Sequence, residues 1–102
     1  MRVAEAWLRE RAAGAPDRLI DSMIDALPAS AATDADAMAE GAVSLYTRVL
    51  ASDGGRGDAL PLLAADALLT HAFQACAETQ PEELAAFAER WGGGGRLGEV
   101  LR

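Results

Sequence analysis

The chain has no lysine. All nine basic residues are arginines, set against sixteen Asp and Glu, for a net charge of −7 and a pI of about 4.5. That balance argues against nucleic-acid binding, which rests on clustered Lys and Arg facing phosphates. It argues equally against docking on anionic membrane surfaces. A single cysteine, Cys76, excludes an intrachain disulfide, and no zinc-ligand set surrounds it. It reads as a small buried hydrophobe, not a nucleophile. Aromatics are scarce at 5%, while hydrophobic residues reach 51%, much of it alanine. Alanine favours helix but contributes little buried area per residue. A small domain of this kind gains area by oligomerising or by docking on a protein partner. The first residues lead into no apolar run like a signal peptide's. The longest nearly uncharged stretch, residues 59–76, contains Asp66 and reads as too short and interrupted to span a membrane. A cytoplasmic location follows as the expectation. An alanine- and glycine-rich chain whose cations are all arginine also reads as GC-rich bacterial coding.

No strand pattern is present, and the length fits one domain. Five helices and a short tail are expected, an all-α bundle. The first helix spans about residues 2–13, with Val3 and Trp7 on one face and Ala4 and Leu8 on another, and Gly14 stops it. The second opens at Pro16 and carries Leu19, Ile20, Met23, Ile24 and Leu27 at helical spacing before Pro28. A small-residue linker, 28–33, follows. The third helix is capped by Thr33 or Asp34 and runs to about residue 51. Its apolar rows are Met38, Ala42, Leu45, Val49 and Ala39, Val43, Tyr46, Leu50, with Ala37 and Gly41 allowing close approach. Residues 52–57 form a turn. The fourth helix, capped by Asp58, continues to about residue 78. Its circumference is mostly apolar, which makes it the central helix. The fifth opens on Thr79 and Glu82 at capping-box spacing, with Pro81 near its start, and buries Leu84, Phe87, Ala88 and Trp91. Residues 92–95 are all glycine, expected as a flexible joint. The division is a helical domain at 1–92, then joint and tail at 93–102.

Two polar features bear on chemistry. On helix four Asp66, Thr70, Gln74 and Glu78 fall on one line, with His71 beside it. The stripe is either the wet edge of the helix or the lining of a polar cavity, since buried polar groups need partners. Asp66, Thr70, His71 and Gln74 are the candidate ligand-binding set. Catalysis by His71 lacks a well-placed orienting carboxylate. On helix two Asp17, Asp21 and Asp25 repel at i, i+4 spacing. They are a solvated acidic face or, as the sharper reading, weak candidates for a magnesium site. No cofactor is implied. The glycines before Arg96 lack the pattern and the preceding strand of a phosphate cradle.

The segment Leu63-Ala64-Ala65-Asp66-Ala67-Leu68-Leu69-Thr70-His71-Ala72-Phe73 resembles the isoprenyl diphosphate synthase helix with the pattern L-A-G-D-A-L-L-x-x-A-F. Asp66, Leu68, Ala72 and Phe73 match, and Ala65 replaces the usual glycine. Gly94-Gly95-Arg96-Leu97-Gly98-Glu99 is faintly similar to the glycine-rich turn before that family's next helix. Residues 16–26 loosely resemble its early arginine-leucine helix. The family binds magnesium diphosphate through two D-D-x-x-D motifs. The helix before Asp66 has no paired aspartates. Asp21-Ser22-Met23-Ile24-Asp25 keeps only the outer two and is wrongly placed. The resemblance therefore implies a shrunken, non-catalytic derivative that keeps a helix-packing surface.

The leading expectation is a non-catalytic accessory subunit, pairing with itself or with a larger synthase-like enzyme. The candidate interaction residues are Leu45, Tyr46 and Val49 on helix three, Leu62, Leu69 and Phe73 on helix four, and Leu97, Val100 and Leu101 in the tail. A second expectation puts docking in the tail, where Leu97-Gly98-Glu99-Val100-Leu101 is loosely similar to the targeting tails of encapsulin cargo proteins. A third is an apolar-ligand-binding bundle using the stripe of helix four.

Overall fold

Apolar residues at helical spacing, broken by Gly and Pro, make this an all-α bundle. The structure, a computed structural model, describes residues 3–101. The expected starts at residues 1 and 2 and the end at 102 lie outside the described residues. The elements are α1 (Val3–Arg11), α2 (Asp17–Asp25), α3 (Asp34–Leu50), α4 (Ala59–Thr79), α5 (Leu84–Trp91) and α6 (Arg96–Leu101). Short 3₁₀ turns at Arg56–Asp58 and Pro81–Glu83 lead into α4 and α5. The radius of gyration, 13.0 Å, equals the roughly 13 Å expected of one compact domain of about this length. The tail belongs to the packed body, with α6 in contact with α3 and α5 and Val100 against the core.

The caps explain the element ends. Thr33 Oγ1 accepts from the Asp36 N–H at 3.0 Å, which starts α3. Pro16 stands one residue before α2, and its carbonyl accepts from the Leu19 and Ile20 N–H groups. Asp58 holds the N-cap position of α4, but its side chain makes no capping hydrogen bond. It sits in the 3₁₀ turn, and its carboxylate accepts from Ser52 Oγ across the α3–α4 connection. Gly54, at φ +79°, supplies the left-handed step this connection needs. The capping box expected at Thr79 does not form. Thr79 ends α4 and donates to the Ala75 carbonyl at 2.7 Å, because the α4 backbone runs on to this residue.

α3 and α4 form the principal pair, and α2 and α5 pack on α4. Gly41 lies against Leu68 and Tyr46, further along α3, meets Asp66, earlier on α4, so the pair is antiparallel. Its seam is built of small residues: Ala39, Ala42, Ala64, Ala65 and Ala72 are fully buried. Gly41 faces the C-terminal end of α2 and Leu68. A Cβ there would lie 3.1 Å from the Ala26 carbonyl oxygen and 3.2 Å from Leu68 Cδ1. Larger side chains fill the space between the helices, chiefly Leu8, Met23, Met38, Leu45 and Leu68. On α1, Ala4 and Leu8 enter the core while Val3 is 68% exposed.

The stretch Arg56–Thr79 is, by length and composition, long and apolar enough to cross a membrane, which corrects the expectation that it is too short. The 3₁₀ turn and the last turn of α4 extend it beyond the uncharged run. Here it is the central helix, burying Ala64, Ala65, Leu68, Ala72, Ala75 and Cys76.

Candidate functional site

The polar stripe of α4 is a surface seam. Asp66, Thr70, Gln74 and Glu78 are exposed and His71 is half-buried. Each has a local partner. Tyr46 Oη donates to Asp66, and partial burial, with this bond, raises the phenol's pKa. Thr70 Oγ1 donates to the Asp66 carbonyl at 2.9 Å. His71 Nδ1 lies 3.0 Å from Gln74 Oε1, a pairing that takes the proton on Nδ1. Trp7 stands edge-on to His71, with ring centroids 5.5 Å apart. The Arg11 guanidinium lies 4.8 Å from the centre of the Trp7 ring and donates twice to Glu78, both at 2.8 Å. The C-terminal half of the stripe thus holds α1 against α4. Among the described residues no polar or charged residue is buried, and no buried side-chain N or O atom lacks a partner. The stripe therefore lines no enclosed polar cavity.

The acidic line of α2 is open to solvent at Asp17, Asp21 and Asp25. Each is about 6 Å along the helix from the next. Among the described residues no three His, Cys, Asp or Glu side chains converge as a metal site would require. Arg18 and Arg48 line one depression together with Asp21 and Asp25. Cys76 is buried and its thiol pKa is pushed up by that burial, the opposite of what a nucleophile needs.

The glycine run is a tight turn, not a flexible joint. The Gly95 and Gly98 N–H groups both donate to the Gly92 carbonyl, at 2.9 and 3.2 Å. A Cβ on Gly95 would fall 2.2 Å from the Arg90 carbonyl oxygen, so only glycine fits. The turn folds α6 back onto α3. Arg96 donates to both carboxylate oxygens of Glu40, at 3.2 and 3.3 Å, and its guanidinium lies 5.7 Å from the Trp91 ring centroid. Val100 packs on the core, Leu97 is half-buried and Leu101 is exposed.

Sequence reasoning missed a carboxylate clasp at Asp36. Its carboxylate accepts from Trp91 Nε1 and Arg90 Nη2, both at 2.9 Å, and from Thr33 Oγ1 at 3.0 Å. Partial burial alone would raise its pKa. The hydrogen bonds from Trp91, Arg90 and Thr33 outweigh that and hold it below the ordinary carboxylate range. No local pattern signals this clasp, because two of its three partners, Arg90 and Trp91, are more than fifty residues away.

The candidate interaction residues separate into two groups. Leu45 is fully buried and serves the chain's own core. Tyr46, Val49, Leu69 and Phe73 are half-buried, and Phe73 meets Phe87 edge-on at 5.2 Å. Leu62 remains 42% exposed, and Leu63, its unforeseen neighbour, 58%. Leu60 and Leu63 of α4, Arg18 and Leu19 of α2, and Pro16 just before α2 line a pit of about 250 Å³. On the other flank, Leu50 lies one turn beyond Tyr46 and Leu62 one turn before Asp66, so the antiparallel pairing brings both to the same level. Leu50 is 55% exposed. The start of α4 therefore carries an outward leucine face flanked by α2 and α3. The available signal was an apolar arc on helix four too wide for two neighbours to cover.

No family model matches the chain, and no curated protein or solved structure matches it either.

Proposed function

We propose that this chain is a non-catalytic helical interaction module, an accessory subunit that works in the cytoplasm by docking its α4 face on another protein. The observation that carries this reading is the outward leucine face at Leu50, Leu62 and Leu63. Large leucine side chains left in water at the start of α4 and the end of α3 forfeit burial energy that a covering partner would recover. The absence of a cavity along the polar stripe, and the inward engagement of α6, favour this reading over ligand binding by the stripe or docking through the tail. The resemblance of residues 63–73 to the synthase helix supports descent from an enzyme whose helix-packing surface outlasted its chemistry. A synthase-like enzyme is on this reading the leading partner.

The native mass of the protein, alone and after affinity capture from its own cells, tests the proposal. Co-purification with a larger protein at fixed stoichiometry is the expected result. Recovery as a lone monomer under both conditions would overturn it. As a companion measurement, magnesium with inorganic diphosphate is expected to leave the thermal midpoint unchanged. A ligand that binds only the folded state must raise it, so a concentration-dependent rise would restore a diphosphate-binding role.

A further inference from the structure

Of the eight aspartates, Asp53 alone lies outside every helix and 3₁₀ turn, and it alone is followed by glycine. We propose that Asp53-Gly54 is a self-modifying site. The Gly54 amide nitrogen closes on the Asp53 side chain to a succinimide, Ser52 and Asp58 take the amide proton, and the ring reopens to isoaspartate. This chemistry needs no partner and stands apart from the docking reading.

Ring closure requires the nitrogen after the aspartate to reach Cγ. Elsewhere in the chain that nitrogen is held in helical backbone: after Asp36, for example, the Ala37 N–H donates to the Thr33 carbonyl at 3.0 Å. Gly54 has no side chain to obstruct the approach and stands at φ +79°. Open space surrounds it, since a Cβ at Gly54 or Gly55 would meet nothing within 4 Å. Residues 51–57 are all exposed, so water reaches the ring. An amide nitrogen is a poor nucleophile until its proton leaves, and here a route for that proton exists. The Gly54 N–H donates to Ser52 Oγ at 3.2 Å, and Ser52 Oγ donates its own proton to the Asp58 carboxylate. A base one hydroxyl away from the proton it removes is within the reach that general-base catalysis needs.

The step balances without an oxidant or a co-reactant other than water. With the Asp53 carboxyl neutral, the Gly54 nitrogen bonds to Cγ while its proton passes to Ser52 and the Ser52 proton passes to Asp58. The relayed proton returns to the carboxyl's hydroxyl, which leaves as water, and Asp58 is again a carboxylate. Water then adds to one of the two ring carbonyls. Breaking the new nitrogen–Cγ bond restores aspartate. Breaking the original peptide bond leaves the main chain running through Cβ and Cγ and frees the former backbone carbonyl as an α-carboxylate. The product has the mass of the starting chain, with one more carbon in the α3–α4 connection. That free α-carboxylate is the group a methyltransferase using S-adenosylmethionine would recognise. The chain contains no asparagine, so deamidation cannot generate the same product.

The test ages the intact chain at physiological temperature and pH. Isoaspartate is read by methyl transfer from labelled S-adenosylmethionine with an isoaspartyl methyltransferase. It is located by fragmenting the peptide 49–56, which trypsin releases between Arg48 and Arg56. Label is expected to accumulate in that peptide and to vanish in Asp53→Glu. Asp58→Asn keeps an acceptor for Ser52 but removes the base, and is expected to slow the reaction by about tenfold or more, as loss of a positioned base does. Ser52→Ala is expected to slow it similarly and Ser52→Thr, which keeps the hydroxyl, to retain the rate. Circular dichroism verifies the fold of each variant. Label confined to other peptides would overturn the proposal. So would its absence from the folded chain while a synthetic 49–56 peptide ages normally. An equal or faster reaction in Ser52→Ala and Asp58→Asn would show that the Gly54–Ser52 bond only restrains the amide, and would overturn it as well.

Discussion

At the scale of single residues, the informative groups are those whose partners lie far away in sequence. Asp36 ties the start of α3 to the end of α5 through Trp91 and Arg90. Hydrogen bonds to a charged acceptor stabilise by about 1.5–3 kcal/mol, so Asp36→Asn should lower unfolding stability at neutral pH by roughly that order. The folded carboxyl titrates below its ordinary value. Its contribution is thus fully present above the unfolded carboxylate pKa of about 4 and is lost as pH falls through the lowered folded value. Urea unfolding across an acid series should show the gap between wild type and Asp36→Asn narrowing over that window. A gap constant with pH would refute the charged clasp. The stripe residues behave differently. His71 and Glu78 were legible as part of a polar line, but their roles depend on Trp7 and Arg11 of α1, which helix-four periodicity does not reveal.

At the scale of elements, close approach decides which small residues are irreplaceable. Leu68 is fully buried in the α3–α4 seam opposite Gly41. Leu68→Ala should cost about 2–5 kcal/mol, read as a lowered denaturation midpoint with an unchanged slope. Gly95→Ala forces a methyl into the Arg90 and Glu89 carbonyls. Because α6 is held by few contacts, the expected result is release of that helix, not global unfolding. Hydrogen exchange at residues 96–101 should accelerate while the α4 core stays protected. Protection unchanged at both places would contradict the tight-turn geometry. The helices themselves were legible because 3.6-residue spacing and the Gly and Pro stops are local signals. Thr79 misled because a capping-box pattern is also compatible with one more turn of the preceding helix. The energy of that turn, through Thr79 and the Ala75 carbonyl, prevailed.

At the scale of the whole molecule, the bundle leaves part of its apolar surface without an internal neighbour. α4 is apolar around most of its girth, and α2, α3 and α5 cover the rest of it better than its first two turns. Leu62→Ser/Leu63→Ser should therefore change stability by no more than about 0.5 kcal/mol, as surface substitutions do, while altering what the protein binds. A large fall in the thermal midpoint would instead mark these leucines as part of the core.

The sequence by itself determined that the chain is helical, where most helices begin and end, and that its surface is acidic. Those properties follow from residue spacing, caps and charge counts, which are local or additive. Only the tertiary structure decided that the glycine run closes into a turn, that the tail docks on α3 through Arg96 and Glu40, and that the leucine face lies open at the start of α4. The turn is closed by backbone bonds that a run of four glycines does not single out from a flexible linker. The other two depend on which helix covers which face, set by contacts between residues distant in sequence, where spacing carries no information.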